Sequence, residues 1–585
     1  MSGKGAIRKL LPFTDWLFRY RRADLPGDLL AGVIVTIMLI PQSLAYAMLA
    51  GLPPEYGLYA SIAPLFLYGL LGTSRTLSVG PVAVVSLLTA SALTPLAVPG
   101  SEQYVQLAIL LALMTGVVQL VVGLVRGGFI ASLLSHPVVA GFITGSSLLI
   151  ILSQLKHMLG VTAASGHLPY EAVVNLAQAL GDTNTATLLI GIAAVAVLLF
   201  FRMPFRKLLE KLGVGKVLAQ TLARTGPAVL VLAGMALVWL AHADTAWGVA
   251  VVGEFPSGLP GFSLPSLDLP VLNALLPAAL IIVLVGYVES VSVGRALGAR
   301  RRQVIDPDQE LVALGAANIA AGFTSGMPVT GGFSRSVVNF DAGAQTGLAS
   351  MITAVLIALV TLFLAPMFAS LPQVVLAATV IVAVSGLVNF REVARLWRYS
   401  RLDGALMALT IAAVLAIGVE LGVAVGVGAS LLLYLWRSSR PHIAIVGRVG
   451  DSESFRNVLR HKVTTYPGLL LVRVDENLFF ANTRFLEDRL LAMVLREPAL
   501  KHLVLICSSV SEIDSSALES VEAMIKRLRD AGVTLHCAEI KGPVMDRLKK
   551  AEFEKHLAPG RVFLSTHDAV VSLGQTPGRT EPAKD

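Results

Sequence analysis

Long apolar runs, separated by short polar or basic stretches, make up the chain as far as Trp436. Many of these runs are about 20 residues long, which is the length that a helix needs to cross the apolar core of a bilayer. The pattern predicts about fourteen membrane segments in two groups of seven. The first group comprises 29–50, a span that follows the turn at 51–59, a segment broken at Gly80 and Pro81, 104–124, 129–153, 186–201 and 227–241. The second group comprises 270–293, 309–323, 331–345, 347–364, 372–388, 403–419 and 421–436.

The pattern changes after residue 440, where strand-like and helix-like runs begin to alternate. Alternation of this kind predicts a soluble α/β domain with helices covering a sheet, here at 441–575. The strand-like runs are 469–474, 478–481, 503–507 and 534–538, and the helix-like runs are 484–495 and 516–531. The other predicted parts are a basic cytoplasmic segment at 1–26, a transmembrane domain at 27–438 and a disordered tail at 576–585.

Composition and charge support this division. Only 14% of the residues are charged, whereas about a quarter are charged in a typical soluble domain. The net charge of +8 is explained by Lys and Arg in loops between predicted spans, while the loop 242–268 has neither. Basic loops face the cytoplasm under the positive-inside rule. We therefore expect a multi-pass protein of the inner (plasma) membrane, with both termini cytoplasmic and no nucleic-acid partner.

Two of the apolar segments contain residues that interrupt a membrane helix. Segment 326–336 carries Pro328, three glycines and Arg335, and segment 78–83 carries Gly80 and Pro81. Non-helical backbone at membrane depth is tolerated where it is buried in protein or lines a cavity, and a charge there indicates function. Interrupted segments at matching places of two halves indicate a transporter binding site. Because each half has an odd number of spans, the two repeats must be inverted.

The chemistry of the broken segments predicts an anionic substrate. If each segment is extended backbone that runs into a short helix, two helix N-termini face each other and present free N–H groups. Arg335 adds a positive charge and Ser334 a hydroxyl donor. Close helix packing is an alternative explanation for the glycines, but it does not explain an arginine after Pro328.

Three polar residues in other spans are further candidates. Gln42 and Tyr46 lie one helical turn apart, so they share a face and could replace water around an anion or bond between helices. Glu289 lies beside the predicted anion site, where desolvation favours the neutral carboxyl and Arg335 opposes that. Two hypotheses follow, proton coupling through Glu289 or a fixed Glu289–Arg335 ion pair. Ser290 is a nearby hydroxyl.

In the soluble domain, Ser515 and Ser516 follow a strand and open a helix after Asp514. Aspartate and serine are good N-caps, and a phosphorylated serine is also favoured at a helix N-terminus. Cys507 and Cys537 are expected to be core thiols. The chain shows no nucleophile–base pair, no Cys/His metal spacing and no phosphate-binding loop, so we expect neither an enzyme nor a cofactor or metal site.

Residues 41–47 (PQSLAYA), 51–54 (GLPP) and 57–59 (GLY) resemble the signature of the sulfate permease family, which includes animal anion exchangers and prestin. Residues 513–516 (IDSS) resemble a STAS domain, as in anti-sigma-factor antagonists. The resemblance implies a polytopic α-helical fold of fourteen spans in a seven-plus-seven inverted repeat. It further implies a core domain that moves against a gate domain as an elevator, a homodimer, and a cytoplasmic α/β STAS domain.

The resemblance also implies which residues form the site. The span around Glu289 resembles that of proton-coupled sulfate carriers of plants, and it lacks the Asp-centred sodium site of the cyanobacterial sodium–bicarbonate branch. The phosphoacceptor of regulatory STAS domains falls at Ser515 or Ser516. By position, the anion site takes Gln42, Tyr46, Val82, Ala83, Glu289, Ser334 and Arg335.

These observations favour a secondary transporter that imports sulfate with protons. One alternative is a bicarbonate or C4-dicarboxylate transporter on the same scaffold, with proton or sodium coupling. Another is a membrane-tethered regulator in which the STAS domain binds a cytoplasmic partner through Ser515 and Ser516 and the membrane part carries no flux. The two broken segments argue against the last alternative, because an anchor needs neither of them.

Overall fold

A computed structural model describes residues 12–132, 135–162, 169–202, 204–215, 219, 222–223, 225–253, 258–574 and 580–581. The chain divides into two compact units, Met1–Ser430 and Leu431–Asp585. The first unit is almost entirely helical, and the second contains a sheet with helices.

A helix lies at each predicted membrane position. We number these helices α1 to α14, and α14 continues from the first unit into the second. They are Leu25–Leu49, Ala63–Leu71, Ala83–Leu93, Glu102–Leu124, His136–Leu159, Thr185–Arg202, Gly226–Ala241, Leu269–Arg300, Pro307–Phe323, Phe333–Asp341, Leu348–Phe363, Gln373–Ser385, Arg401–Ile417 and Val419–Ser438. Further short helices precede α1 or lie between the membrane helices, at Phe13–Leu17, Glu55–Tyr59, Pro169–Gln178, Pro204–Lys211, Ala243–Ala246 and Phe390–Tyr399.

Within the described ranges, 7 helices are long and apolar enough to cross a membrane. The helices α3 and α10 are much shorter, with 11 and 9 residues. A helix rises 1.5 Å per residue, so each covers only about half of a bilayer core about 30 Å thick. Extended backbone at the strands β1 (Val79–Gly80) and β2 (Thr330–Gly331) precedes them. The prediction of two broken segments is therefore confirmed.

The membrane helices form two packing groups. The core group contains α1–α4 and α8–α11, and the gate group contains α5–α7 and α12–α14. Contacts between the groups are made mainly by α1 and α3, which pack against α5, α7 and α12. In the core group α4 and α9 approach closely at Gly116. A Cβ atom at this position would lie 2.5 Å from the Ile319 amide nitrogen, so a larger residue would push the two helices apart. This division corresponds to the predicted core and gate domains.

The second unit is built on one mixed sheet. Its strands, β3 to β10, are Ile443–Arg448, Phe455–Asn457, Val463–Thr464, Leu469–Val474, His502–Ile506, Thr534–Ala538, Val562–Phe563 and Thr580–Glu581. The strand order is β10-β5-β3-β6-β7-β8-β9, and β4 pairs with β3. Strands β6 to β9 run parallel, and β3 is antiparallel to β6. The helices α15 to α19 are Thr483–Arg496, Ser515–Asp530, Gly542–Lys550, Phe553–Leu557 and Thr566–Leu573.

Helices cover both faces of this sheet, because apolar side chains of α15–α18 join one buried cluster and those of α19 join another. The predicted strand at 478–481 is wrong, since only Leu478 forms a bridge, to Ile513. The Asn482 side chain accepts a hydrogen bond from the Phe479 amide at 3.1 Å and so holds a turn there. Of the predicted end segments, 1–11, 576–579 and 582–585 lie outside the described residues.

Candidate functional site

The two broken segments cross each other at their extended parts. Strands β1 and β2 pair antiparallel, with Val79 opposite Gly331 and Gly80 opposite Thr330. The residues that precede α3 and α10, Val82 and Gly332, are extended. The Val82 side chain does not cap α3, and Gly332 has no side chain that could cap α10. The first N–H groups of a helix have no intrahelical acceptor. Two uncapped helix N-termini therefore lie beside one small strand pair.

Arg335 lies in the first turn of α10, and its side chain is only 2% exposed. Its Nη1 donates a hydrogen bond to the Pro81 carbonyl at 2.7 Å, whereas Nε and Nη2 have no partner among the described residues. The guanidinium lies against the backbone of two glycines, Gly332 and Gly80. If each glycine carried a Cβ atom, that of Gly332 would lie 2.9 Å from Nη2 and that of Gly80 would lie 3.4 Å from Nη1. A buried positive charge with unused donors thus lies where the two helix N-termini meet.

The helix α1 brings two more of the predicted side chains to this place. Gln42 and Tyr46 are buried, and their polar side-chain groups form no hydrogen bond with any residue that the structure describes. Helix α1 packs against both α3 and α10. Tyr46 lies close enough to Arg335 and Glu289 for the three groups to interact electrostatically. Neutral donors and a cation therefore share one region of the core group.

The remaining predicted residues of the broken segments lie at the two helix starts. Val82 is half-buried in the position before α3, and Ala83 is buried at its first residue. Ser334 is exposed in the first turn of α10, next to Arg335. The structure thus places all the sequence-predicted residues of these segments around the same pair of helix N-termini.

Glu289 lies on α8, in a small cavity whose other lining is apolar. The described residues contain no hydrogen bond to Glu289 and no ion pair within 4.0 Å between it and Arg335. The fixed ion pair considered from the sequence is therefore absent from this structure. The lining comes from α5, α8 and α14 and consists of Val138, Val139, Phe142, Ile143, Val285, Val288 and Val423. Glu289 accordingly faces the gate group from the core group.

Sequence reasoning missed the residue that holds the second broken segment. Asn318 on α9 is fully buried. Its Oδ1 accepts a hydrogen bond from the Val329 amide at 2.8 Å, and its Nδ2 donates to the Val329 carbonyl at 2.9 Å and to Gln119 Oε1 at 2.9 Å. An asparagine inside an apolar span was the only sequence signal, and it did not reveal that the partner is backbone.

Ser290 and Ser336 support the strand pair in a similar way. Ser290 Oγ accepts a hydrogen bond from the Gly331 amide at 2.9 Å, and Ser336 Oγ accepts one from the Ser78 amide at 3.0 Å. Thr330 Oγ1 lies 2.8 Å from Ser290 Oγ and donates to the Gly286 carbonyl at 2.6 Å. Ser290, the residue after Glu289 in the sequence, therefore holds the backbone of β2 against α8.

In the second unit, Ser515 and Ser516 are both exposed at the start of α16. The capping residue is Asp514, which accepts hydrogen bonds from the Ala517 amide at 2.7 Å and the Phe480 amide at 3.0 Å. Cys507 and Cys537 are free, buried thiols, as expected from the sequence. Across the described ranges, no three His, Cys, Asp or Glu side chains are grouped as a metal site.

Comparisons with known proteins identify both parts of the chain. Residues 25–410 match the sulfate permease family, and residues 460–569 match the STAS domain. The chloroplastic sulfate transporter 4.1 of Arabidopsis thaliana is 36% identical over 577 residues, 96% of this chain and 82% of that protein. A Mycobacterium tuberculosis protein named as a probable sulfate transporter is 35% identical over 554 residues, 94% of this chain and 96% of that protein.

Solved structures share the fold. Murine solute carrier 26 family member A9, an anion transporter in the inward-facing state, matches with a TM-score of 0.87 at 24% identity over 97% of this chain and 94% of that chain. The transmembrane domain of the cyanobacterial bicarbonate transporter BicA matches with a TM-score of 0.58 at 22% identity, over 70% of this chain and 98% of that chain. The predicted fold class is confirmed. The chain belongs to the sulfate permease family, a family of multi-pass membrane transporters and not of enzymes, and it carries a C-terminal STAS domain.

Proposed function

We propose that this protein is a secondary active transporter of a small inorganic anion, with sulfate favoured as the substrate and protons as the coupling ion. The observation that carries the proposal is Arg335, a buried cation with two unused donor nitrogens between two uncapped helix N-termini. The names of the two relatives, one a sulfate transporter and the other a probable sulfate transporter, support the choice of substrate.

The anion site proposed here uses donors from three helices. The free N–H groups at the starts of α3 and α10 attract negative charge, and Arg335 adds a full positive charge. Ser334, Gln42 and Tyr46 supply neutral donors that replace part of the hydration shell of an oxyanion. Val82 and Ala83 contribute backbone and shape the wall on the α3 side.

Glu289 is the proposed proton carrier. A bound anion favours the protonated carboxyl, because two negative charges in one low-dielectric site repel each other. The absence of a close ion pair with Arg335 leaves the carboxyl available for this exchange. Sodium coupling is the alternative on this scaffold, and the uptake experiment below separates it from proton coupling.

Alternating access is proposed to occur by an elevator-type movement of the core group against the gate group. Arg335, Tyr46 and the strand pair all belong to the core group, where Asn318 and Ser290 fix the backbone. Glu289 faces the apolar side chains of α5 and α14 across the boundary between the groups. A site held rigidly in one group can be carried past the other with little internal change.

The surroundings of the transporter are also proposals. The basic loops favour the inner (plasma) membrane with the N-terminus and the STAS domain in the cytoplasm. We propose a homodimer as the assembled form. Ser515 and Ser516, exposed at the start of α16, offer a site for regulatory phosphorylation or for a cytoplasmic partner of the STAS domain.

Uptake of labelled sulfate into proteoliposomes tests the proposal. With an inward proton gradient we expect accumulation above the external concentration, and no such accumulation when a sodium gradient replaces it. Competition by unlabelled sulfate, bicarbonate, fumarate and succinate in the same assay identifies the preferred anion. Uptake that does not depend on the proton gradient would contradict proton coupling. Normal sulfate binding by the Arg335→Ala variant would contradict the placement of Arg335 in the anion site.

A further inference from the structure

The short helix Phe390–Tyr399, which joins α12 to α13, carries a row of arginines on one face. Arg391, Arg395 and Arg398 are spaced by four and three residues, so they project from the same side. All three are exposed. Arg391 and Arg398 make no hydrogen bond or ion pair with any described residue, and Arg395 pairs with Glu392 at 2.8 Å with 73% of its side chain exposed. This face is a row of largely unneutralised cations.

Exposed aromatic side chains flank the arginine row. Phe390 and Trp397 lie on one side of it and Tyr399 on the other, and 57%, 49% and 89% of these residues are exposed. The opposite face, with Val393 and Leu396, is half-buried where the helix packs against α13. Tryptophan and tyrosine concentrate at the boundary between lipid and water, where their rings are apolar and their polar ends stay hydrated.

We propose that this helix is a binding surface for anionic phospholipid headgroups. Its position between two predicted spans places it beside the bilayer, and an amphipathic helix with basic and aromatic side chains lies in the plane of the interface. The planar guanidinium forms paired hydrogen bonds to phosphate oxygens, and the arginines line one shallow groove with Ala394 and Tyr399. The occupant is a lipid and not a soluble phosphate, because the aromatic flanks need acyl chains to cover them.

Quenching of Trp397 by brominated lipids tests the proposal without any transport assay. The full-length protein is reconstituted in phosphatidylcholine vesicles that contain increasing fractions of brominated phosphatidylglycerol or brominated phosphatidylcholine. The fluorescence of the Trp397→Phe variant is subtracted to isolate the Trp397 signal. We expect phosphatidylglycerol to be preferred by about fivefold or more, the gain that one arginine provides at an anionic surface.

Two sets of variants decide the outcome. Arg391→Gln, Arg395→Gln and Arg398→Gln together are expected to make the two lipids quench equally. The control removes the same charge from exposed arginines of the second unit, at Arg484, Arg489 and Arg496, and is expected to keep the preference. Equal quenching in the unaltered protein overturns the proposal, as does a preference that survives in the first variant. Abolition of the preference by soluble glycerol phosphate also overturns it, because it identifies a site for a free anion.

Discussion

The Nη1 of Arg335 donates a hydrogen bond of 2.7 Å to the carbonyl of Pro81, and this bond joins the two broken segments of the membrane unit. The donor belongs to the helix start of one segment and the acceptor precedes the helix start of the other. The other two guanidinium nitrogens, Nε and Nη2, have no hydrogen-bond partner among the described residues. One side chain therefore both holds the two segments together and presents charge between them.

Replacing Arg335 by alanine is expected to weaken sulfate binding by about tenfold to a hundredfold, because a hydrogen bond to a charged group contributes about 1.5–3 kcal/mol. Sulfate-dependent thermal stabilisation of the purified variant measures the loss. Arg295→Ala, at an exposed position on α8, is the control and is expected to bind normally. Equal binding by both variants would show that Arg335 is not in the anion site.

Gly332→Ala tests whether the guanidinium must lie against the backbone. The added Cβ would lie 2.9 Å from Nη2 and 3.0 Å from Nε of Arg335, so the side chain has to move. We expect a loss of stability of about 1–3 kcal/mol, as for other overpacked sites, together with weaker sulfate binding. Gly428→Ala is the matched control, because a Cβ there meets nothing within 4 Å. Titration calorimetry and thermal unfolding of both variants provide the comparison.

Glu289→Gln is expected to uncouple sulfate transport from the proton gradient. The amide keeps the size and polarity of the protonated acid but cannot release a proton, so sulfate exchange should continue while accumulation driven by an imposed pH gradient disappears. Exchange and gradient-driven uptake are measured in the same proteoliposomes. The exposed Glu102→Gln change at the start of α4 serves as the control. Accumulation by the Glu289→Gln variant equal to that of the unaltered protein would exclude Glu289 as the proton carrier.

Asn318→Ala is expected to destabilise the membrane unit. It leaves the Val329 amide and carbonyl and Gln119 Oε1 without the bonds that Asn318 supplies, at a cost of about 1–3 kcal/mol for each buried group left unsatisfied. Thermal unfolding in detergent should show a lower midpoint, and sulfate binding should weaken because β2 loses its support. Asn273→Ala changes an exposed asparagine of α8 and should leave both quantities unaltered.

The STAS domain is expected to lose stability in acid through His536. Burial lowers the pKa of His536 from 6.5 to about 4, and His502 and Arg561 act in the same direction. Its Nδ1 accepts from the Arg561 amide at 3.1 Å, so Nε2 carries the proton and donates to His502 Nδ1 at 3.2 Å. Because the folded pKa is depressed, this stabilisation is complete above about pH 6.5 and falls as the pH approaches 4.

Hydrogen exchange of the amides of β7 and β8 between pH 7 and pH 4 measures this effect, after correction for the intrinsic pH dependence of exchange. Protection should decline in the unaltered protein and change much less in the His536→Asn variant. The exposed His461→Asn change should behave like the unaltered protein. An equal decline in both histidine variants would assign the acid sensitivity to other groups.

The sequence was sufficient to predict the features whose chemistry conflicts with their surroundings. A proline and an arginine inside an apolar run, as at Pro328 and Arg335, can be recognised because lipid does not tolerate them. The partners of Asn318 and Ser336 could not be assigned in this way. Asn318 bonds the backbone of Val329 across the break before β2 and the side chain of Gln119 on another helix, and Ser336 bonds the Ser78 amide in the other half of the chain. The strand expected at 478–481 failed for a related reason, because the side chain of Asn482 stabilises a turn in a sequence of strand-forming residues.

The strand pair β1–β2 has a consequence for biosynthesis. Its two strands come from opposite halves of the chain, so β1 enters the membrane long before β2 has been translated. During that interval the Ser78 amide and carbonyl lack Ser336 Oγ and the Gly332 amide, the partners that they later bond. Unpaired backbone of this kind is not tolerated against lipid. The newly made first half must therefore keep this segment within protein or water until α10 has been translated and has brought Gly332 and Ser336 to it.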